Sequence, residues 1–130
     1  RQSLYLPDKQ FFVYGDKNHL TRVLNNLIKN AIQAIPDGKD GKIDITLYQN
    51  NEKVSIKVSD NGSGISEDMR DKVFVPNFTT KNSGTGLGLA ISKNIIDAFK
   101  GKIYFQTELE KGTDFFVELP LVEVRVMKEI

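Results

Sequence analysis

Residues 84–92 read Gly-Thr-Gly-Leu-Gly-Leu-Ala-Ile-Ser, and this stretch predicts a loop that leads into the N-terminus of a helix. Three glycines alternate with larger residues, and apolar residues with helical spacing follow at once. A glycine-rich loop that leads into a helix can hold an anion, because the first N–H groups of the helix have no partner inside it. The stretch is not a Walker loop, because no Gly-Lys-Ser/Thr follows it. It is not a dinucleotide-binding fingerprint either, because its glycine spacing differs and no parallel βαβ unit surrounds it. Taken alone, the stretch is equally compatible with a turn that has only a structural role.

The segments on either side of this loop predict an α+β fold. Asp16 is a predicted N-cap, because an apolar stripe with helical spacing follows it and stops at Pro36. A second helix follows the loop and ends at Gly101. Alternating apolar and polar residues predict strands at residues 42–49 and 53–59, which form a hairpin. Residues 102–107 and 113–119 form a second predicted hairpin, with its turn around Glu110-Lys-Gly112, and a shorter strand or two is expected within 4–14. We therefore expect helices packed on one face of a mainly antiparallel sheet.

The composition is that of one ordinary globular domain. The chain has 130 residues, of which 39% are hydrophobic and 27% are charged, and its net charge is +1. This balance predicts no nucleic-acid partner and no membrane surface. Without cysteine, the chain has no disulfide, thiolate metal site or cysteine nucleophile. Since no run of the sequence is long or apolar enough for a transmembrane helix or a signal peptide, we expect a cytosolic domain. Because the chain begins at Arg1, we expect this domain to be a piece of a longer protein.

Two asparagines on the first predicted helix are candidates for a binding site. Asn26 and Asn30 are four residues apart, so they share one face of the helix, at the edge of its apolar stripe. One interpretation is a pair of hydrogen-bonded amides at the border of the core. The other is a polar row facing a cleft, in which an amide oxygen ligates magnesium while phosphates and water supply the remaining oxygens.

A carboxylate followed by two glycines ends the predicted strand at residues 53–59. In Asp60-Asn-Gly62-Ser-Gly64 the aspartate and glycines form either a simple turn or a base pocket. A buried carboxylate accepts a hydrogen bond from the exocyclic amine of adenine, whereas guanine presents an acceptor at that position. The two glycines would let the backbone pass close to a flat ring.

Four motifs in a fixed order make the chain similar to a known family. It resembles the catalytic, ATP-binding domain of sensor histidine kinases, within the group that includes DNA gyrase, Hsp90 and MutL. The likeness covers about residues 5–120 and is carried by these segments: NNLIKNAIQAI (25–35), SDNGSGIS (59–66), VFVPNFTTK (73–81), GTGLGLAIS (84–92) and the final strand GTDFFVELP (112–120).

The resemblance implies a Bergerat ATP-binding fold, a two-layer α/β sandwich in which helices cover one face of a mixed, mainly antiparallel sheet. It implies a catalytic domain over residues 1–120, with a mobile lid at about 66–85, and leaves 121–130 as an extension or linker. The variant "VPNF", where many relatives have Glu-Pro-Phe-Phe, departs from the family pattern in the lid.

The resemblance also implies roles for single residues in binding ATP and Mg²⁺. Asn30 is the expected magnesium ligand, and Asn26 faces the phosphates, so both are catalytic candidates. Asp60 accepts from the adenine amine, with Thr113 nearby and Gly62 and Gly64 lining the base pocket. The expected phosphate side comprises Lys81, Gly84, Thr85, Gly86, Leu87 and Gly88.

One position separates kinases from hydrolases in this group. Hydrolytic members carry a glutamate as general base four residues before the magnesium-binding asparagine, and Asn26 occupies that position here. A neutral amide cannot take a proton at neutral pH, so we predict a phosphotransferase whose nucleophile comes from elsewhere. His19, the single histidine, is interpreted as structural or as a polar residue on the phosphate side.

The predicted function is therefore that of a two-component histidine kinase catalytic fragment. The partners implied are the dimerisation and phosphoacceptor domain of the same kinase and a response-regulator receiver domain. We expect a monomeric fragment from the cytoplasmic part of a membrane-anchored bacterial sensor. The alternatives are a serine kinase of the anti-sigma-factor type and a non-catalytic ATP-binding docking module.

Overall fold

A computed structural model of the chain describes residues 2–5, 11–76 and 88–122. Its elements in chain order are β1 (Gln2–Tyr5), α1 (Lys17–Ala34), β2 (Ile43–Asn50), β3 (Lys53–Asp60), a short 3₁₀ helix (Glu67–Lys72), α2 (Gly88–Ala98), β4 (Lys102–Glu108) and β5 (Gly112–Pro120). Five predicted phosphate-side residues, Lys81, Gly84, Thr85, Gly86 and Leu87, lie outside the described residues. The described part of the predicted lid contains the 3₁₀ helix.

Five strands form one sheet in the order β1-β2-β3-β5-β4. Strand β1 runs parallel to β2, and the other neighbours are antiparallel. The β2–β3 hairpin turns at Asn51, whose φ of 58° lies in the left-handed region that asparagine tolerates. The register places Asp60 between Ile43 of β2 and Thr113 of β5. Both predicted hairpins and the mixed, mainly antiparallel sheet are confirmed.

Helix α1 begins where the sequence predicts. The Asp16 side chain accepts hydrogen bonds from the backbone N–H groups of Asn18 at 2.8 Å and His19 at 3.1 Å. These bonds satisfy N–H groups that have no partner inside the helix, as an N-cap does. They also lower the pKa of Asp16, the bond from His19 being the larger cause.

The two helices pack on one face of the sheet and form the core with it. The apolar stripe of α1 contributes Val23, Leu27 and Ala31, and α2 contributes Ile96. The sheet contributes alternate residues, because successive side chains of a strand point to opposite faces. The buried strand residues of this cluster are Ile43, Val54, Val58, Ile103, Phe115, Val117 and Leu119. The predicted two-layer α/β sandwich is confirmed.

The opposite face of the sheet carries its own aromatic pair. The rings of Tyr104 and Phe116 are stacked with centroids 4.8 Å apart and an interplanar angle of 10°. The Tyr104 hydroxyl donates to the Glu118 carboxylate at 3.1 Å. Burial, followed by this hydrogen bond, raises the pKa of Tyr104.

Backbone hydrogen bonds continue beyond the predicted boundary at residue 120. The Leu121 N–H donates to the Glu52 carbonyl at 2.9 Å, and the Val122 N–H donates to the Phe12 carbonyl at 2.7 Å. Val13 and Leu121 also form an antiparallel bridge. The segment before α1 and the segment after β5 are thus held side by side. The interpretation of 121–130 as extension or linker stays a prediction, and residues 123–130 lie outside the described part.

Candidate functional site

A buried carboxylate and a buried hydroxyl lie opposite one another at the ends of two central strands. Asp60 is 6% exposed and Thr113 is 4% exposed, and the two are direct cross-strand partners. Directly opposed side chains share one face, with Cβ atoms about 5 Å apart. One Asp60 oxygen accepts from the Gly62 N–H at 2.8 Å, which closes a tight turn after β3. The structure therefore brings together two residues that the sequence assigned to the base pocket.

The glycines after Asp60 are explained by close contacts with backbone. A Cβ atom at Gly62 would lie 2.4 Å from the Ala34 carbonyl oxygen, and one at Gly64 would lie 2.5 Å from the Glu108 carbonyl oxygen. Gly64 also has a φ of 78°, which larger residues rarely adopt. These glycines let the segment pass between the end of α1 and the end of β4. The close approach of a flat ring stays a prediction.

Asn61 anchors the segment that follows β3, although the sequence analysis predicts no role for its side chain. Its Oδ1 accepts from the Lys42 N–H at 2.8 Å, and its Nδ2 donates to the Asp40 carbonyl at 3.0 Å. The side chain thus holds the loop before β2 against the end of β3. The feature of the sequence that could have indicated this role is an asparagine between Asp60 and Gly62, because asparagine side chains often form hydrogen bonds with backbone groups in turns.

Thr107 of β4 is a second residue that the sequence did not indicate. Its hydroxyl accepts from the Ile65 N–H at 2.9 Å, contacts the Gly112 carbonyl at 3.1 Å and lies 2.8 Å from the Thr113 hydroxyl oxygen. It therefore joins the segment that follows β3, the β4–β5 hairpin and Thr113. A threonine in an alternating strand pattern gives no signal of such a junction.

Gly112 is needed where the β4–β5 hairpin approaches β3. A Cβ atom there would lie 2.0 Å from the Asp60 carbonyl oxygen, and the φ of Gly112 is 135°. The sequence predicted this glycine only as part of a turn. Its lack of a side chain sets how closely Thr113 approaches Asp60.

Asn26 ties α1 to the beginning of α2. Its Nδ2 donates to the Gly88 carbonyl at 3.1 Å and to the Ser92 hydroxyl at 3.2 Å, and Ser92 donates to the same carbonyl at 2.9 Å. Because a carbonyl only accepts, the amide nitrogen and not its oxygen must face Gly88. These two bonds use both hydrogens of the Asn26 amide, and Oδ1 is the atom of this side chain that can accept. Asn26 is one of the residues predicted to face the phosphates.

One row of α1 connects the two parts of the site. Residues spaced by four lie one above another on a helix, about 6 Å apart along its axis. Asn26 contacts Gly88 at one end of the row, and Ala34 contacts Gly62 at the other. Asn30 lies between them and is half-buried. The predicted metal ligand thus lies midway between the N-terminus of α2 and the segment that follows Asp60.

Two further candidates have packing contacts. The Phe74 ring lies 6.1 Å from the Phe105 ring and 6.4 Å from the Phe115 ring, so this part of the motif at 73–81 packs against the core. His19 is exposed at the start of α1, with its ring 6.5 Å from that of Phe99. Phe78 of the same motif lies outside the described residues.

Within the described ranges, no three histidine, cysteine, aspartate or glutamate side chains are grouped so as to hold a metal ion. In the same part of the chain, no helix has the length and apolar character required to cross a membrane.

The sequence is similar to known kinases over most of its length. The family model for "Histidine kinase-, DNA gyrase B-, and HSP90-like ATPase" matches residues 15–123. Sporulation kinase D of Bacillus subtilis (strain 168) is 39% identical over 117 residues, covering 90% of this chain and 23% of that protein. Sensor histidine kinase ZraS of Escherichia coli (strain K12) is 44% identical over 109 residues, covering 84% of this chain and 23% of that protein. The chain thus spans about a quarter of the length of these curated relatives.

The fold is similar to that of a solved kinase domain. The nucleotide-free catalytic domain of histidine kinase ThkA superimposes with a TM-score of 0.80 at 38% sequence identity. The match covers 92% of this chain and 77% of the ThkA chain. The chain belongs to the family of histidine kinase-, DNA gyrase B- and HSP90-like ATPases, and it is an ATP-binding catalytic domain of the sensor histidine kinase type.

Proposed function

We propose that this chain binds Mg-ATP and donates the γ-phosphoryl group to a histidine on a separate dimerisation domain. In this reaction the bond between the γ-phosphorus and the leaving ADP oxygen breaks, and a bond between phosphorus and the histidine nitrogen forms. The nucleophile belongs to the partner domain in this proposal, and the exposed His19 is not assigned that role. The chain supplies positioning and charge stabilisation, which are the main requirements of phosphoryl transfer.

The bonding of Asn26 is the observation that carries this proposal. Its amide nitrogen is engaged with Gly88 and Ser92, at the position where hydrolytic members of the group have a catalytic glutamate. An amide has no site that takes a proton at neutral pH, so it cannot activate water. A domain without that base favours transfer to a nucleophile from another domain over attack by water.

The pair of Asp60 and Thr113 is proposed to bind adenine. The two side chains are buried and opposed, and a carboxylate oxygen is an acceptor for the exocyclic amine. A base that presents an acceptor instead would leave a buried charge facing a lone pair, which is unfavourable. Gly62 and Gly64 bring the backbone past this pair and are proposed to line the pocket.

The phosphates are proposed to lie toward the start of α2. Gly88 is the first residue of that helix, where unpaired backbone N–H groups and the helix dipole favour anions. The roles of Lys81, Gly84, Thr85, Gly86 and Leu87 at the phosphates stay predictions.

Asn30 is proposed as the protein ligand of Mg²⁺. Its place between Gly88 and Gly62 on the α1 row lies between the proposed phosphate and base positions. The donor set fits, because magnesium takes one or two protein oxygens and the remainder from phosphates and water. When bound, the ion would neutralise charge on the phosphates during transfer.

The proposed acceptor is the dimerisation and phosphoacceptor domain of the same kinase, which then passes the phosphoryl group to a response-regulator receiver domain. We also propose that the fragment is monomeric and comes from the cytoplasmic part of a membrane-anchored sensor. The relatives support a longer parent protein, because the chain covers only 23% of each.

A phosphotransfer assay in trans tests the proposal. The chain is mixed with the histidine-bearing dimerisation domain of its parent protein and ATP labelled at the γ-phosphate, with and without Mg²⁺. The expected result is magnesium-dependent label on the partner that is lost in acid, as phosphohistidine is. The same partner with its histidine replaced by alanine is the matched control.

Two outcomes would overturn the proposal. Acid-stable label on a serine of a partner protein would favour a kinase of the anti-sigma-factor type. ATP binding without transfer to any histidine of the native partner would favour a non-catalytic docking module.

A further inference from the structure

The hydroxyl of Thr107 makes three polar contacts with only one hydrogen to donate. Its oxygen lies 2.9 Å from the Ile65 nitrogen, 3.1 Å from the Gly112 carbonyl oxygen and 2.8 Å from the Thr113 hydroxyl oxygen. A threonine hydroxyl carries one O–H donor and two acceptor lone pairs. Because the Thr113 hydroxyl is able to donate or to accept, the other two partners decide which arrangement of hydrogens satisfies all three contacts.

Only one arrangement turns all three contacts into hydrogen bonds. The backbone N–H of Ile65 must donate, so it takes one lone pair of Thr107. The carbonyl of Gly112 must accept, so it takes the single Thr107 hydrogen. The remaining contact is then a hydrogen bond only if Thr113 donates to Thr107.

This arrangement sets what Thr113 offers to a ligand. With its hydrogen directed at Thr107, the Thr113 hydroxyl presents lone pairs alone. Its cross-strand partner Asp60 is also an acceptor, and both side chains are buried on the same face. The wall formed by these two residues therefore matches a ligand group with hydrogens to donate and opposes one with lone pairs.

We propose that Thr107 is a specificity-determining positioning residue that holds Thr113 as a hydrogen-bond acceptor, so that the pocket selects a purine with an exocyclic amino group beside Asp60. The inference depends on the proposed function, because it takes the Asp60–Thr113 pair as the base-binding wall. Thr107 acts through Thr113, so the selection of the base then depends on more than the charge of Asp60.

The test compares the affinities of three nucleotides for Thr107→Val and for the unchanged chain. The nucleotides are ATP, GTP and purine riboside triphosphate, which lacks the amino group. In Thr107→Val the Thr113 hydrogen is released, and the Ile65 N–H loses its acceptor. We expect the ratio of GTP to ATP dissociation constants to fall about tenfold, the scale of one buried polar contact. The affinity for purine riboside triphosphate should change much less.

Two variants separate this effect from a loss of folding. Thr107→Ser keeps the hydroxyl and should restore the nucleotide ratio. Thr46→Val makes the same chemical change on β2, on the opposite face of the sheet, and should leave the ratio unchanged. Urea unfolding of each variant establishes that the compared proteins are folded.

The outcomes distinguish this inference from the proposed function. If the unchanged chain binds no ATP, the proposed function fails and this inference fails with it. If the unchanged chain binds ATP and transfers phosphate while folded Thr107→Val keeps its full nucleotide ratio, the inference alone is overturned. Equal weakening of all three nucleotides, restored by Thr107→Ser, would also overturn it, because the hydroxyl would then support the pocket without selecting the base.

Discussion

Asn26 of α1 donates a hydrogen bond to Ser92 of α2, and 66 residues of sequence separate the two. Both also contact the Gly88 carbonyl, and Ser92 is completely buried. The bond joins the helix that carries Asn30 to the helix whose N-terminus is proposed to face the phosphates. This hydrogen bond is therefore expected to contribute to the stability of the domain and to the relative positions of the two helices at the candidate site.

Ser92→Ala is expected to lower the free energy of unfolding by about 1–2 kcal/mol, because one N–H of the half-buried Asn26 amide loses its acceptor. Asn26→Ala should cost more, and the double variant should cost less than the sum, because the two residues share one interaction. Urea unfolding of all four proteins measures the coupling. Ser55→Ala is the control, since Ser55 is also completely buried but its hydroxyl has no hydrogen-bond partner within the described ranges. Strictly additive losses would contradict the shared bond.

Asp60→Asn is expected to reduce the preference for ATP over GTP by about 1–3 kcal/mol, the scale of a buried polar contact that is no longer made. The reason is that one carboxylate acceptor is replaced by an amide, which can turn a donor toward guanine. Titration with both nucleotides measures the change. Asp114→Asn is the matched control, because Asp114 follows Thr113 on β5 and points to the other face, where it bonds with Ser59. Equal ATP preference in the two variants would remove Asp60 from base recognition.

Asn30→Ala is expected to abolish the magnesium dependence of ATP binding while the domain remains folded. The substitution removes the proposed protein oxygen, and alanine is a better helix former than asparagine. ATP titrations with and without Mg²⁺ measure the effect. Asn25→Ala provides the control on the exposed side of the same helix. An unchanged magnesium dependence in Asn30→Ala would exclude Asn30 as the ligand.

Acid is expected to weaken the start of α1 through Asp16. The hydrogen bonds from His19 and Asn18 lower the pKa of Asp16 in the folded state below its ordinary value of 3.8. The folded state then binds fewer protons, so this contribution is complete above the unfolded pKa and is lost as pH falls through the folded pKa. Asp16→Asn keeps a capping oxygen that does not titrate. Thermal unfolding measured as the pH falls below 3.8 should show a steeper loss of stability for the unchanged chain than for Asp16→Asn. Parallel curves for the two proteins would contradict the lowered pKa of Asp16.

Local sequence patterns predicted the elements of this fold well. The Asp16 cap, the apolar stripe that ends before Pro36 and the two hairpins each depend on neighbouring residues, so their periodicity and turn chemistry were visible. The family resemblance supplied the pairing of Asp60 with Thr113 at one site.

The contacts that support the site were not visible in the sequence. The bond between Asn26 and Ser92, the junction at Thr107 and the approach of Gly62 to Ala34 all join residues far apart in the chain. Such contacts depend on how elements pack, and no local period encodes them. Asparagine, serine and threonine side chains also form hydrogen bonds with neighbouring backbone groups, so their presence in a sequence does not indicate a contact with a distant residue.

The stacking of Tyr104 on Phe116 has a practical consequence for measurements on this domain. These rings lie on the face of the sheet opposite Asp60, and the sequence contains no tryptophan. Replacing Tyr104 with tryptophan would give the chain a single strong fluorophore on the face of the sheet opposite the proposed nucleotide site. Its emission would follow the integrity of the strands, so that unfolding can be recorded with little direct influence from nucleotide bound at the proposed site.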